Sequence, residues 1–296
     1  MSDHSIILLG GPDSGKTNYL VRLWRALKSR KSKLVAPRSP TNIKYVEGLI
    51  EFILQGQFVP HTDVSDHPTD QQLVIPITRA SAPDGEEVTL SVPDVSGELW
   101  QGAIDRGDIP KAWMEALQSS SGALLFVRVG SQANVPSLDW VNTPELLSFL
   151  GDGAAANSDG SVPKVPTQVA MCEMLRFLDQ TLLRHGDFLP RVAVMITAWD
   201  LLDEETRAKG PSSYLEAEFP LFSGRLHDCR SLDVRCFGVS IVGGDFEDDT
   251  FKEEFFESDI DSMGFTVLED AESHVAEEGD LTLPVEWVIG PLFNDE

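Results

Sequence analysis

Cysteine is scarce in this 296-residue chain: Cys172, Cys229 and Cys236 are the only three, widely spaced and odd in number, with no Cys-x-x-Cys or Cys/His pattern. That excludes a disulfide framework and a structural zinc site, and the thiols are read as reduced. Basic residues are also few, 23 Lys and Arg against 48 Asp and Glu, for a net charge of −25. A surface short of cations releases few counterions from a phosphate backbone, so direct nucleic-acid binding is not expected. No apolar run approaches the ~20 residues of a bilayer-spanning helix. Met1-Ser-Asp-His-Ser lacks the basic and then apolar pattern of a secretory signal. A cytoplasmic protein without a transmembrane segment is the expectation.

Hydrophobic residues make up 42% of the chain, enough to fill one large α/β domain over residues 1–296. Ser5-Ile-Ile-Leu-Leu-Gly10 reads as a buried strand, and Lys16 to about Arg30 has helical spacing through Leu20, Leu23, Trp24 and Leu27. A second helix is predicted over about Asn42 to Leu54, closed by Gly56. Residues 72–78 and 87–92 form a β-hairpin around Ala82-Pro-Asp-Gly-Glu. Helices near 111–118, 169–183 and 212–219 alternate with strands near 122–129, 191–197 and 234–240. This alternation predicts a three-layer α/β domain, with a mainly parallel sheet covered on both faces, one antiparallel hairpin strand and loop insertions.

Residues 131–167, rich in Gly, Ala, Ser, Asn and Pro, are expected to include a flexible insertion. Residues 245–280 carry fifteen acids against one lysine, Lys252, and are expected to be mobile or peripheral. Solvated loops or partner-binding surfaces both suit these two stretches. Over 281–296 apolar periodicity returns, which predicts a short closing helix packed on the sheet. Arg22, Arg25, Lys28, Arg30, Lys31, Lys33 and Arg38 make the early chain basic; they read either as a solvated face or as a partner surface.

Three motifs carry chemistry. Gly10-Gly-Pro-Asp13-Ser14-Gly15-Lys16-Thr17, between a strand and a helix, has the spacing of a phosphate-binding loop. In such a loop backbone N–H groups and the helix N-terminus surround an anion, Lys16 neutralises phosphate charge, and Thr17 offers a hydroxyl to Mg²⁺. Asn18 follows directly. Asp94-Val-Ser-Gly97 follows a strand, as a magnesium-associated acid should, and Gly97 can present its N–H to a γ-phosphate; a simple turn is the alternative. Thr197-Ala-Trp-Asp200 ends another strand, placing Asp200 where α/β sheets bind ligands. Its carboxylate can accept both guanine N1–H and N2–H₂, which favours GTP over ATP, unless Asp200 is a helix N-cap.

In this order the motifs resemble those of the translation-factor-like class of P-loop GTPases, with Gly-x-x-x-x-Gly-Lys-Thr, Asp-x-x-Gly and Asn/Thr-Lys-x-Asp. Within that class the chain is similar to the bacterial double-GTPase group found in predicted biological-conflict gene clusters. The resemblance implies GTP or GDP with Mg²⁺ as ligands. It also implies a GTP-hydrolysing molecular switch in a multi-protein regulatory or antiviral defence system, with a protein effector or complex partners. Carried over by position, Thr62 is the switch threonine that closes on Mg²⁺ and the γ-phosphate, a plain loop hydroxyl being the alternative. Val239-Ser240-Ile-Val-Gly243 resembles the last base-contacting loop, although a strand ending in a glycine turn looks the same.

The expected nucleotide contacts are therefore Gly10, Asp13, Ser14, Gly15, Lys16, Thr17, Asn18, Thr197, Asp200 and Ser240. Mg²⁺ falls to Thr17, Thr62 and Asp94, and the chemistry to Lys16, Thr62, Gly97 and Glu98. Three residues depart from the pattern. Ala198 replaces the lysine that lies along the base, Glu98 stands where many GTPases have a water-orienting glutamine, and Pro12 interrupts the glycine loop. No arginine finger is evident. A nucleotide-holding scaffold without turnover, or a P-loop ATPase, stays open as an alternative.

Overall fold

A computed structural model describes residues 5–40, 43–60, 73–92, 111–136, 165–270, 272 and 274–293. The strands are β1 (Ser5–Gly10), β2 (Leu34–Val35), β3 (Leu73–Arg79), β4 (Val88–Val92), β5 (Gly122–Arg128), β6 (Arg191–Thr197), β7 (Asp233–Ser240), β8 (Phe265–Glu269) and β9 (Val275–Glu278). The α-helices are α1 (Lys16–Ser29), α2 (Ile43–Leu54), α3 (Lys111–Gln118), α4 (Thr167–Thr181), α5 (Glu204–Ala208), α6 (Gly210–Glu218), α7 (Pro220–Asp228), α8 (Asp249–Glu257) and α9 (Leu283–Ile289).

The described residues form one nine-stranded sheet with the order β2-β3-β4-β1-β5-β6-β7-β8-β9. Its five central strands, β4, β1, β5, β6 and β7, are mutually parallel. The predicted hairpin is β3 with β4, joined antiparallel through Ile75↔Leu90 and its neighbours. Antiparallel pairing extends further than one hairpin strand: β2 adds to β3 on one edge, and β8 and β9 extend β7 on the other.

Strand residues alternate between two cores. Ile6 and Leu8 of β1 join Leu124 and Phe126 of β5 and Ala193 and Met195 of β6 on the face covered by α1, α2 and α9. Ile7, Leu9, Leu125, Val127, Val194 and Ile196 pack on the other, covered by α3, α4, α6 and α7. Such two-sided burial is why these strands read as unbroken apolar runs rather than alternating ones. Each Leu or Ile so enclosed contributes about 1.5–3 kcal/mol, and the sheet becomes a rigid platform for what its edge carries.

Within the acidic stretch 245–280 the described residues form regular elements, two of them strands at the edge of the sheet. The stretch holds α8, a 3₁₀ turn at Ile260–Ser262, and the edge strands β8 and β9. Phe246, Phe255, Ile260 and Val267 within it are all buried, so its apolar residues outweigh its charge. Part of the early basic cluster pairs with two of these acids and with Glu286, while Lys28, Lys31, Lys33 and Arg38 keep 61–69% of their side-chain exposure, as a solvated face does. Arg25 pairs with Asp261 at 2.5 Å, Lys31 with Asp259 at 2.9 Å and Lys33 with Glu286 at 3.3 Å. Arg22 is buried and donates to the carbonyls of Ile241, Ile260 and Met263 at 2.7–2.8 Å. Burial, with Arg25 nearby, lowers its pKa to about 10. In the closing segment, the Leu281 carbonyl accepts from Tyr19 Oη at 2.9 Å, and α9 lies on the first core. Of the expected insertion, 137–164 lies outside the described residues.

Candidate functional site

Parallel strands place their carboxyl ends together. Gly10, Arg128, Thr197 and Ser240 therefore close β1, β5, β6 and β7 along one edge of the sheet. The chain leaves β1 for the β2–β4 side and then crosses to β5 on the opposite side of β1. That reversal of direction opens a crevice at the carboxyl edge, the usual ligand position in open α/β sheets.

At the end of β1 the backbone turns tightly into α1. Gly15 is left-handed (φ 84), and a Cβ there would lie 2.6 Å from Thr197 Oγ1. A Cβ at Gly10 would meet Phe126 O and Ser14 Oγ at 2.8 Å. Only glycine permits this close curl. Asp13 is also left-handed (φ 52). The opening bond of α1 runs from Tyr19 N–H to Gly15 O at 2.9 Å, so the N–H groups of Lys16, Thr17 and Asn18 have no intrahelical acceptor. No acid occupies the helix's first turn. The result is a concave, donor-rich loop at the positive end of a helix dipole, which suits a phosphate chain.

Lys16 Nζ donates to Gly10 O and Gly11 O at 2.7 Å and to Ser14 Oγ at 3.0 Å. Enclosure of the ammonium lowers its pKa from 10.5 to about 7, with the Asp13 carboxylate acting in the opposite direction. Three neutral oxygens hold the Lys16 amino group, and an anion arriving at the loop would favour its charged form. Thr17 is half-buried at the same turn.

Several of the expected contact residues also have hydrogen-bond partners within the protein. Ser14 is buried, and its hydroxyl donates to Gly11 O at 2.8 Å. Thr197 is also buried, and its Oγ1 donates to Ser14 O at 2.9 Å, fixing the end of β6 beneath the loop. Asn18 Oδ1 accepts from Val59 N at 2.9 Å, tying α1 to the segment after α2. Ser240 is buried, and its hydroxyl accepts from Gly243 N at 2.9 Å, shaping the turn after β7. Each of these side chains thus has a partner within the protein.

Asp200 is different. After Ala198, in the left-handed region (φ 56), Trp199–Leu201 forms a 3₁₀ turn anchored by the buried Trp199 ring. Gly238 leaves room for that ring, since a Cβ there would sit 2.5 Å from Trp199 Cδ2. Asp200 is not a helix N-cap: α5 is capped by Asp203, whose carboxylate accepts from Thr206 N at 2.9 Å. The Asp200 carboxylate makes no hydrogen bond or ion pair with a described residue.

Arg128 and Ser131 were not singled out in the sequence. Arg128 Nη1 and Ser131 Oγ each donate to Asp13, at 2.7 Å to Oδ1 and Oδ2 respectively. Asp13 is thus held from outside the loop by the β5 end. A lone arginine closing the apolar run Leu-Leu-Phe-Val-Arg128 was the signal available. Thr62, Asp94, Gly97 and Glu98 lie outside the described residues.

The model of the Double-GTPase 1 family matches residues 7–288. No curated protein matches the chain. Among solved structures, the chain is similar to one titled as the signal recognition particle receptor SRb-GTP/SRX complex from Chaetomium thermophilum. That pair is 15% identical, covers 86% of this chain and 98% of that chain, and has a TM-score of 0.36. It is also similar to Methanosarcina barkeri Roco2 RocCORdC bound to GDP, at 12% identity, 89% of this chain, 52% of that chain and a TM-score of 0.29.

Proposed function

The chain belongs to the Double-GTPase 1 family, and on that premise we propose that it binds Mg-GTP in the Gly10–Thr17 loop and hydrolyses it as a molecular switch. The observation that supports this best is a pair of opposite charges on one sheet edge. The enclosed amino group of Lys16 follows β1, and the carboxylate of Asp200, which has no partner among the described residues, follows β6. A cation aimed at phosphates and an acid able to accept two guanine N–H groups suit the two ends of GTP.

Thr17 is the described residue suited to hold Mg²⁺, with Thr62 and Asp94 completing the set. When bound, Mg²⁺ would neutralise charge on the β- and γ-phosphates. Lys16 neutralises the same oxygens from within the loop. Glu98 and Gly97 are the residues proposed to face the attacking water and the γ-phosphate. Switching would be read in the loops that carry Thr62 and residues 94–98, with protein partners in a bacterial regulatory or defence system as its receivers.

Calorimetric titration with GTP, GDP and ATP in Mg²⁺ tests the reading in the wild type, Lys16→Ala and Asp200→Ala. Expected are a preference for guanine that disappears in Asp200→Ala and loss of all nucleotide binding in Lys16→Ala. Equal affinity of the wild type for GTP and ATP would remove the guanine assignment and favour an ATPase.

A second reading, nucleotide holding without turnover, draws on Ala198, which offers only a methyl group at the base turn, and on Glu98. Phosphate release above background that vanishes in Lys16→Ala eliminates it.

A further inference from the structure

The sheet order β1-β5-β6 has a consequence for any ligand that joins Lys16 to Asp200. Lys16 follows β1 and Asp200 follows β6, so the middle of that ligand must cross the end of β5. The last residue of β5 is Arg128, in parallel register with Thr197. Its side chain lies on the phosphate-loop side, because Nη1 donates to Asp13 Oδ1 at 2.7 Å. Nε and Nη2 have no partner among the described residues, and the side chain keeps 34% of its exposure. On the neighbouring strand, Ala198 supplies no cation to the same crevice.

We propose that Arg128 is a nucleoside-binding residue whose guanidinium plane, oriented by Asp13, lies against the purine. This rests on the nucleotide reading above. Asp13 already balances the guanidinium charge, and a phosphate approaching Arg128 would also meet that carboxylate. A neutral aromatic ring meets no such repulsion, and a planar guanidinium stacks on it well. Ser131, donating to the other Asp13 oxygen at 2.7 Å, keeps the carboxylate, and through it the guanidinium, in place. Stacking does not distinguish purines, so Arg128 adds affinity while Asp200 adds the choice of guanine.

The test titrates wild type, Arg128→Ala and Arg128→Lys with GTP, ATP and inorganic tripolyphosphate, with melting curves to confirm folding. Arg128→Ala is expected to weaken GTP and ATP by a common factor of about ten. Tripolyphosphate affinity should fall clearly less than GTP affinity, the remaining loss being repulsion by the Asp13 carboxylate once Arg128 no longer balances it. Arg128→Lys, which keeps the charge without the plane, should recover only part of the loss. A parallel loss for tripolyphosphate would show that Arg128 acts on the loop through Asp13, and would overturn the proposal. Unchanged GTP affinity in Arg128→Ala, against a wild type that binds GTP, would overturn it as well. A wild type that binds no GTP would remove the functional reading first, and this inference with it.

Discussion

Thr197 Oγ1 donates to the carbonyl oxygen of Ser14 at 2.9 Å, across 183 residues of sequence, so the end of β6 and the phosphate loop form one hydrogen-bonded unit. The turn that carries Asp200 follows immediately at Ala198–Leu201. Movement of the loop is thereby coupled to the strand that carries Asp200.

Thr197→Val keeps the shape and removes the donor, leaving Ser14 O buried without its partner. Chemical denaturation should show a loss of about 1–3 kcal/mol, with weaker nucleotide binding by calorimetry. Thr197→Ser, which keeps the hydroxyl, should lose less on both counts.

Two loop glycines should behave differently. Gly15→Ala forces a left-handed alanine into Thr197 and should cost about 2 kcal/mol or more while preventing the loop from closing on phosphate. At Gly11 an added Cβ meets nothing within 4 Å. Gly11→Ala should change the unfolding free energy by no more than about 0.5 kcal/mol. Equal destabilisation of the two variants would contradict the described loop geometry.

The Lys16 ammonium should make the nucleotide-free protein pH-sensitive. Its pKa in the folded protein, about 7, lies below its ordinary value of 10.5, so the unfolded chain holds more protons between those values. The penalty is fully present below about pH 7 and is relieved as pH rises toward 10.5, so stability should climb across that window. Lys16→Met should flatten the climb. Bound phosphates favour the charged ammonium, so nucleotide binding near pH 8 should take up protons. Calorimetry in buffers of different ionisation enthalpy measures that uptake directly.

Arg22→Met removes a buried guanidinium from the carbonyls of Ile241, Ile260 and Met263. The three acceptors lose their common donor, and about 3 kcal/mol of stability should go with it. Hydrogen exchange should localise the change to residues 241–263 and the adjoining face of α1.

Much of this architecture could be read from the chain because two-sided burial leaves apolar runs too long to mistake. The segments Ser5–Gly10, Gly122–Arg128 and Arg191–Thr197 became central strands, and the loop between β1 and α1 stood out by spacing alone. The stretch 245–280 was obscured by its acids. Phe246 and Phe255 are separated by five acids and one lysine in sequence, yet their rings lie 4.8 Å apart and their burial organises the segment. Its charges made sense only once Arg25 and Lys31 were seen opposite Asp261 and Asp259. At the site, residue type predicted location but not the partners that each side chain has within the protein. Thr197, Ser240 and Asn18 stand near the expected edge but satisfy neighbouring backbone atoms, a choice of partner that spacing does not encode. Arg128 reached Asp13 only through the β1–β5 pairing.

The last strand of the sheet has an implication for how copies of this protein meet. β9 pairs with β8 and is the outermost strand on that side among the described residues, with Val275–Glu278 exposed along its whole length. An unpaired strand edge is a template for β-addition by another chain. Glu277 and Glu278 lie on this one, close in sequence to Glu272 and Asp280, in a molecule of net charge −25. A second copy would bring the same acids to the same edge, and their mutual repulsion would keep the sheet from growing into a fibre.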